Sequence, residues 1–253
     1  MPGPVIVTLT GDAGRGKTSL AATFPKPIFS RFEDGMQSIP VANRPDAFPI
    51  IAETGDIFDQ AMALLTEEHD YKTWVIDSVS AADRFFADQI LSKDGKARNL
   101  QQACGGYGAG FDVLASYHAR IRKAAGVLAA KRGMNTVFIS HADTIRIDPP
   151  NEEPYMSYSL RLNKKSIPHY LDDVDLVGFI KLETMIIGDE GERKKAITDG
   201  TRVLITYATA ENVSKNRYGI NEILYVKLGE NPLLPYIPQL SPPVEKQRKK
   251  ETA

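Results

Sequence analysis

The residues best placed to do chemistry lie near the N-terminus, in the segment GDAGRGKT at positions 11–18. It fits G-x-x-x-x-G-K-[ST] at every fixed position. Gly11, Gly14 and Gly16 let the backbone curl so that successive amides point inward at phosphate oxygens. Lys17 brings an ammonium to the β- and γ-phosphates, and Thr18 offers a hydroxyl to a magnesium ion. The helix that Thr18 opens turns its positive end toward the anion. The pattern therefore predicts binding of ATP, or a related nucleoside triphosphate, with Mg²⁺. The contact set is Gly11, Asp12, Ala13, Gly14, Arg15, Gly16, Lys17, Thr18 and Ser19. A chance match in a glycine-rich turn is the competing reading; a strand before the segment and a helix after it argue against that.

Four further segments could act on a bound triphosphate. The apolar run ending in WVID places Asp77 at a strand tip, where a carboxylate would be the second protein contributor to Mg²⁺. A helix-capping role is the alternative, because Ser78 and Ser80 follow. IFSRFEDG ends a strand in Glu33 and Asp34, and a carboxylate there could polarise water for attack on the γ-phosphate; acids that merely begin a turn are the alternative. VFISH ends a strand in His141, which could report on the γ-phosphate or simply be a partly exposed strand end. Finally, SKNRYG sets Lys215 and Arg217 beside a flexible glycine, a solvated turn being equally compatible with composition.

Those positions need a scaffold. The spacing predicts strands over residues 5–9, 27–32, 72–76 and 135–140, and helices over 18–24, 56–68, 80–91 and 111–132. This β–α alternation argues for an α/β fold, a mostly parallel central sheet flanked by helices. The second half reads differently: residues 142–160 form a polar loop, and 174–184, 201–209 and 222–228 form antiparallel strands appended at one edge, with turn signals at 188–191. A single core over residues 1–238 and a flexible polar tail over 239–253 complete the expectation.

Bulk properties narrow the function classes. The 253 residues suffice for a core held by burial alone. The formal net charge of −1 gives no global field for nucleic acid, so any such contact must come from local patches. Cys104 alone excludes an internal disulfide framework and a multi-cysteine metal cage. No secretion signal and no membrane-length apolar run is present, which sets the expectation of a cytoplasmic protein with no membrane partner.

In this order the pieces resemble the RecA-like recombinase core and, within it, the small phage ATPases of the Sak-four class, single-strand annealing proteins made of that core alone. FPKPIFSRFEDG, WVIDSVSA, NTVFISHAD and SKNRYG carry the likeness across roughly residues 1–230. The resemblance implies Glu33 as catalytic carboxylate, Asp77 as the acid near magnesium, and His141 where RecA proteins have a glutamine sensor. It implies that Lys215 and Arg217 reach the γ-phosphate of a neighbouring subunit in a head-to-tail oligomer, filament or ring. Two segments would hold single-stranded DNA: 92–110, with Lys93, Lys96, Arg98 and Tyr107, and 142–166, with Arg146, Arg161, Lys164 and Lys165. By composition both could be ordinary surface loops. The expected activity is DNA-dependent ATP hydrolysis in recombination, with a single-strand DNA-binding protein as a further candidate partner. A small-molecule phosphotransferase and a non-catalytic, ATP-dependent scaffold remain the rival classes.

Overall fold

The computed structural model describes residues 3–187 and 195–240. Five α-helices and twelve strands are described. The first half largely alternates, apart from the consecutive pairs β2–β3 and α3–α4: β1 (Ile6–Gly11), α1 (Lys17–Ala21), β2 (Pro27–Arg31), β3 (Asp46–Ala47), α2 (Asp56–Thr66), β4 (Thr73–Asp77), α3 (Val79–Lys93), α4 (Ala109–Arg132) and β5 (Asn135–Ile147). Then follow β6 (Tyr155–Leu160), α5 (Pro168–Leu171), β7 (Leu176–Leu182), a separate hairpin of β8 (Met185–Ile187) and β9 (Lys195–Ile197), β10 (Arg202–Ile205), β11 (Lys215–Asn216) and β12 (Leu224–Tyr225).

The main sheet runs β12-β10-β7-β1-β5-β4-β2-β3. Strands β7, β1, β5, β4, β2 and β3 are mutually parallel, and β10, β11 and β12 join antiparallel at the β7 side. This is the expected α/β architecture: a mostly parallel core between helices, with antiparallel edge strands. Strand chemistry explains it. Successive side chains point to opposite faces, so a central strand needs apolar residues at nearly every position. Trp74, Ile76 and Phe138 face α2, α3, α4 and α5, whereas Val7, Leu9, Val75 and Val137 face α1 and the chain between Tyr218 and Leu240. Both faces are buried, and strands this short cannot slip register without moving one set into the other's core.

Three expectations are corrected. The strand predicted over 135–140 continues past the sheet edge to Ile147 and pairs antiparallel with β6, Ala142 opposite Leu160 through Ile147 opposite Tyr155. The supposed loop 142–160 is therefore a hairpin: Thr144, Ile145 and Ile147 are β-branched and outweigh the polar composition between them. The first late strand, β7, is parallel to β1 and not an antiparallel appendage; helix α5 and the hairpin return the chain to the starting edge of the sheet. Of the other late strands, β10 and β12 are far shorter than predicted. The turn at 188–191 and the tail beyond Leu240 lie outside the described residues, while Leu240 itself is buried against the core. No described helix is long and apolar enough to cross a membrane.

Candidate active site

The ends of β1, β2, β4 and β5 meet at one edge of the sheet, and a cavity of about 520 Å³ opens there. Strand β1 is buried throughout and delivers the chain to Gly11, where a Cβ would lie 2.3 Å from the Ile180 carbonyl oxygen. No other residue fits. Gly14 and Gly16 follow with φ of 73° and 92°, the left-handed conformations that curl the loop around an anion. Lys17 is almost fully buried, and its Nζ donates to the carbonyls of Gly11 (2.8 Å) and Asp12 (2.7 Å). Burial pulls its pKa down to about 8, opposed by the nearby Asp77, Asp12 and Glu33 carboxylates.

The Thr18 hydroxyl donates to Asp77 Oδ2 at 2.9 Å, joining the first turn of α1 to the tip of β4. Burial raises the Asp77 carboxyl to about pH 6 despite the Thr18 bond. A Cβ on Gly35 would sit 3.0 Å from Asp77 Oδ2 and 3.5 Å from Thr18 Oγ1, so the turn after β2 closes directly over this pair. One hydroxyl and one carboxylate oxygen side by side, beside curled amides, suit a hard divalent cation bound partly through phosphate.

Glu33 completes the cluster from the end of β2. Its Oε1 accepts from Ser78 Oγ at 2.7 Å and from His141 Nε2 at 3.2 Å, and Arg84 stands 3.7 Å from Oε2. These contacts, the His141 bond foremost, hold the carboxyl down to about 2 against the opposing effect of burial. Ionised Glu33 requires the proton of His141 on Nε2, which leaves the buried Nδ1 without a partner. Asp34 is engaged elsewhere, by Arg31 at 3.5 Å and by Gln37 at 2.8 Å. Ser80 braces the floor: its hydroxyl accepts from the His141 amide and contacts the Ser140 hydroxyl.

The sequence-predicted loop, Lys17, Thr18, Asp77, Glu33 and His141 thus converge. Ser78, Arg84, Gly35 and Arg202 belong to the same neighbourhood and were not predicted as site residues. Ser78 had a visible signal, following Asp77 directly; Arg202 had none, since only sheet order carries β10 to this edge.

Lys215 and Arg217 do not reach this cavity. Lys215 Nζ donates to the Asp172 carbonyl, and Arg217 pairs with Asp175 at 3.1 Å. Strand β11 faces the start of β7, so these cations lie at the opposite edge of the sheet, roughly 15 Å from the loop along the strands.

The two basic segments lie toward the phosphate end. Arg132, closing α4, donates to Glu67 at the far edge, so the 24-residue helix carries its N-terminus back across the fold. There residues 94–108 present Lys96, Arg98 and a fully exposed Tyr107, with Lys93 in the last turn of α3. The hairpin carries Arg146, paired with Asp148 at 2.9 Å. Arg161 donates to the Ala142 carbonyl at 3.0 Å and lies near enough to Lys17 to oppose its charge. Lys164 is exposed, while Lys165 is paired with Asp112 at the start of α4.

No curated protein matches the chain. One solved structure similar to it, described as that of the RadB recombinase, aligns at 13% identity over 88% of this chain and 87% of the other, with a TM-score of 0.47. A family model described as the AAA domain matches residues 4–218, spanning the loop, both strand-tip acids and His141. The chain belongs to the AAA domain family and is an ATP-binding protein.

Proposed function

We propose that the protein is a RecA-like, DNA-dependent ATPase of recombination, of the phage Sak-four kind, that binds single-stranded DNA and promotes annealing or pairing. The observation that carries the reading is the meeting of Lys17, the Thr18–Asp77 pair and the Glu33–His141–Ser78 cluster around one cavity. The basic segments 92–110 and 142–166 face the same end of the molecule, where nucleic acid could sense the nucleotide.

In this reading the loop amides from Asp12 to Ser19 cradle the phosphates, and Lys17 exchanges its two carbonyl partners for β- and γ-phosphate oxygens. Thr18 and Asp77 would hold Mg²⁺, which supplies neutralisation of charge on the phosphate oxygens when bound. Glu33, with a pKa of about 2, is too weak a base to remove a proton from water outright. It acts by orientation: Oε1 is fixed by Ser78 and His141, and Oε2 accepts a hydrogen bond from the attacking water, aligning it with the γ-phosphorus. His141 bonds Glu33 while its backbone runs directly into the hairpin, so a change at the γ-phosphate is passed to β5 and β6. Lys215 and Arg217, remote from their own cavity, complete the site of a neighbour in a head-to-tail filament or ring.

The test is ATP turnover with and without single-stranded DNA at several salt concentrations. Stimulation that fades as salt rises supports the reading. Turnover stimulated instead by a small metabolite would assign a phosphotransferase, and no turnover under any condition would assign an ATP-dependent scaffold.

A further inference from the structure

An arginine with no counter-charge among the described residues lines the phosphate cavity. Arg202, the first residue of β10, crosses to the loop through the sheet order β10-β7-β1 and lays its side chain flat on Gly16. A Cβ at Gly16 would lie 3.3 Å from Arg202 Cδ, 3.4 Å from Nε and 3.8 Å from Cζ. Among the described residues Arg202 makes no ion pair, and its buried Nε has no hydrogen-bond partner. Next to it Leu228 is 74% exposed, a large apolar side chain projecting over the same cavity. The chain beneath is fixed: the Val226 amide donates to the Arg202 carbonyl at 2.9 Å, and Lys227 is occupied by Glu230.

The position along a nucleotide follows from what surrounds it. Glu33, Asp77 and His141 mark the γ end, and Lys17 the β- and γ-phosphates. Arg202 and Leu228 line the other side of the same cavity of about 520 Å³, because β10 lies across β1 from β5, β4 and β2. The crevice behind them, against Ser19 and Leu20, is only about 10 Å³, so a nucleoside would rest on their cavity face. The chain of phosphates must leave the loop in that direction to reach its nucleoside. We propose that Arg202 pairs with the α-phosphate and that Leu228 covers the nucleoside, the two forming the inner wall of the base subsite. A guanidinium left without a carboxylate beside curled amides is satisfied by phosphate oxygen. Covering Leu228 with the apolar face of a base would take its exposed side chain out of water. The proposal rests on the nucleotide-binding reading and specifies which residues meet the nucleoside half.

Calorimetric titration with Mg²⁺ present, using ADP and inorganic tripolyphosphate as probes, tests it. Arg202→Ala should weaken both probes about tenfold or more, the loss expected for one charge-assisted contact. Arg202→Lys should recover much of that affinity, and Leu228→Ala should weaken ADP several-fold while leaving tripolyphosphate unchanged. Wild-type affinity for ADP in Arg202→Ala, with binding lost in Lys17→Ala, would overturn the Arg202 assignment and leave the phosphate loop intact. Equal loss in Arg202→Ala and Arg202→Lys, with a lowered ligand-free melting temperature in both, would also overturn it, since that marks packing. Loss of tripolyphosphate binding in Leu228→Ala would overturn the nucleoside contact. If the wild type binds neither probe, the nucleotide-binding reading itself fails.

Discussion

Three charged side chains meet at the phosphate cavity, and their surroundings treat the charge differently. Asp77 is nearly fully buried and its pKa is raised to about 6, so its ionised form costs stability in the ligand-free fold. A carboxyl whose folded pKa is raised is destabilising above that pKa, and the cost fades as pH falls through 6 toward the unfolded value of 3.8. Asp77→Asn should therefore melt higher than wild type at pH 8, by as much as roughly 3 kcal/mol in stability, with the gap narrowing below about pH 6 and closing near the unfolded value of 3.8. The same variant should lose Mg²⁺-dependent nucleotide binding; a melting gap independent of pH would contradict the burial argument. Glu33 behaves oppositely. Its lowered pKa contributes stability above about 4.5 that is lost as pH falls toward about 2. Glu33→Gln should keep nucleotide affinity and reduce turnover by 10²-fold or more, the scale of a lost orienting group in single-turnover assays. Lys17→Ala should abolish nucleotide binding in equilibrium titration, because the remaining amides cannot balance the charge of the phosphates.

At the scale of elements, the strand β5 is the one whose length matters most. It leaves the sheet at His141 and continues as half of a hairpin, so one continuous ladder runs from the Glu33 contact to Arg146. The hairpin and the N-terminus of α4 project beyond the phosphate edge; just after the hairpin, Lys165 pairs with Asp112 at the start of α4 and the Asn163 amide donates to Asp83 on α3. Cations already paired contribute little to a polyanion. Lys96→Ala with Arg98→Ala should therefore weaken single-stranded DNA binding and lower its salt slope by about 2, measured by anisotropy across salt concentrations. Lys165→Ala should have a smaller effect than Lys164→Ala. Equal effects would mean that the Asp112 pair opens on binding.

For the whole molecule, the separation of Lys215 and Arg217 from the cavity has a consequence. In one chain they stand at the edge of the sheet opposite the loop, so any contribution to hydrolysis must come from a second copy. Arg217→Ala should leave nucleotide affinity within about twofold and slow turnover by 10³-fold or more, as loss of a finger-like cation does. Mixing Arg217→Ala with Glu33→Gln should restore part of the activity, since some junctions then hold one intact half from each chain. Absence of rescue, with both variants still assembling, would place the two cations outside the reaction.

Local chemistry was enough to read the loop, the strand-tip acids and the alternation of strands with helices. Glycine spacing, β-branched runs and terminal carboxylates act within a few residues, and tertiary contacts only reinforce them. The hairpin over 142–160 is hidden in the sequence because polar residues dominate its composition, while the pairing of β5 with β6 is a contact across the turn. Strand order lay beyond reach. Nothing near β7 announces that it pairs parallel to β1, and nothing near Arg202 announces that it rests on Gly16; both depend on which strand edges find each other once the helices have covered the sheet. The sequence by itself determined which groups could meet a phosphate. Only the folded chain decided which of them stand around one cavity and which lie at the other end of the strands, because that choice is made by burying both faces of a single sheet.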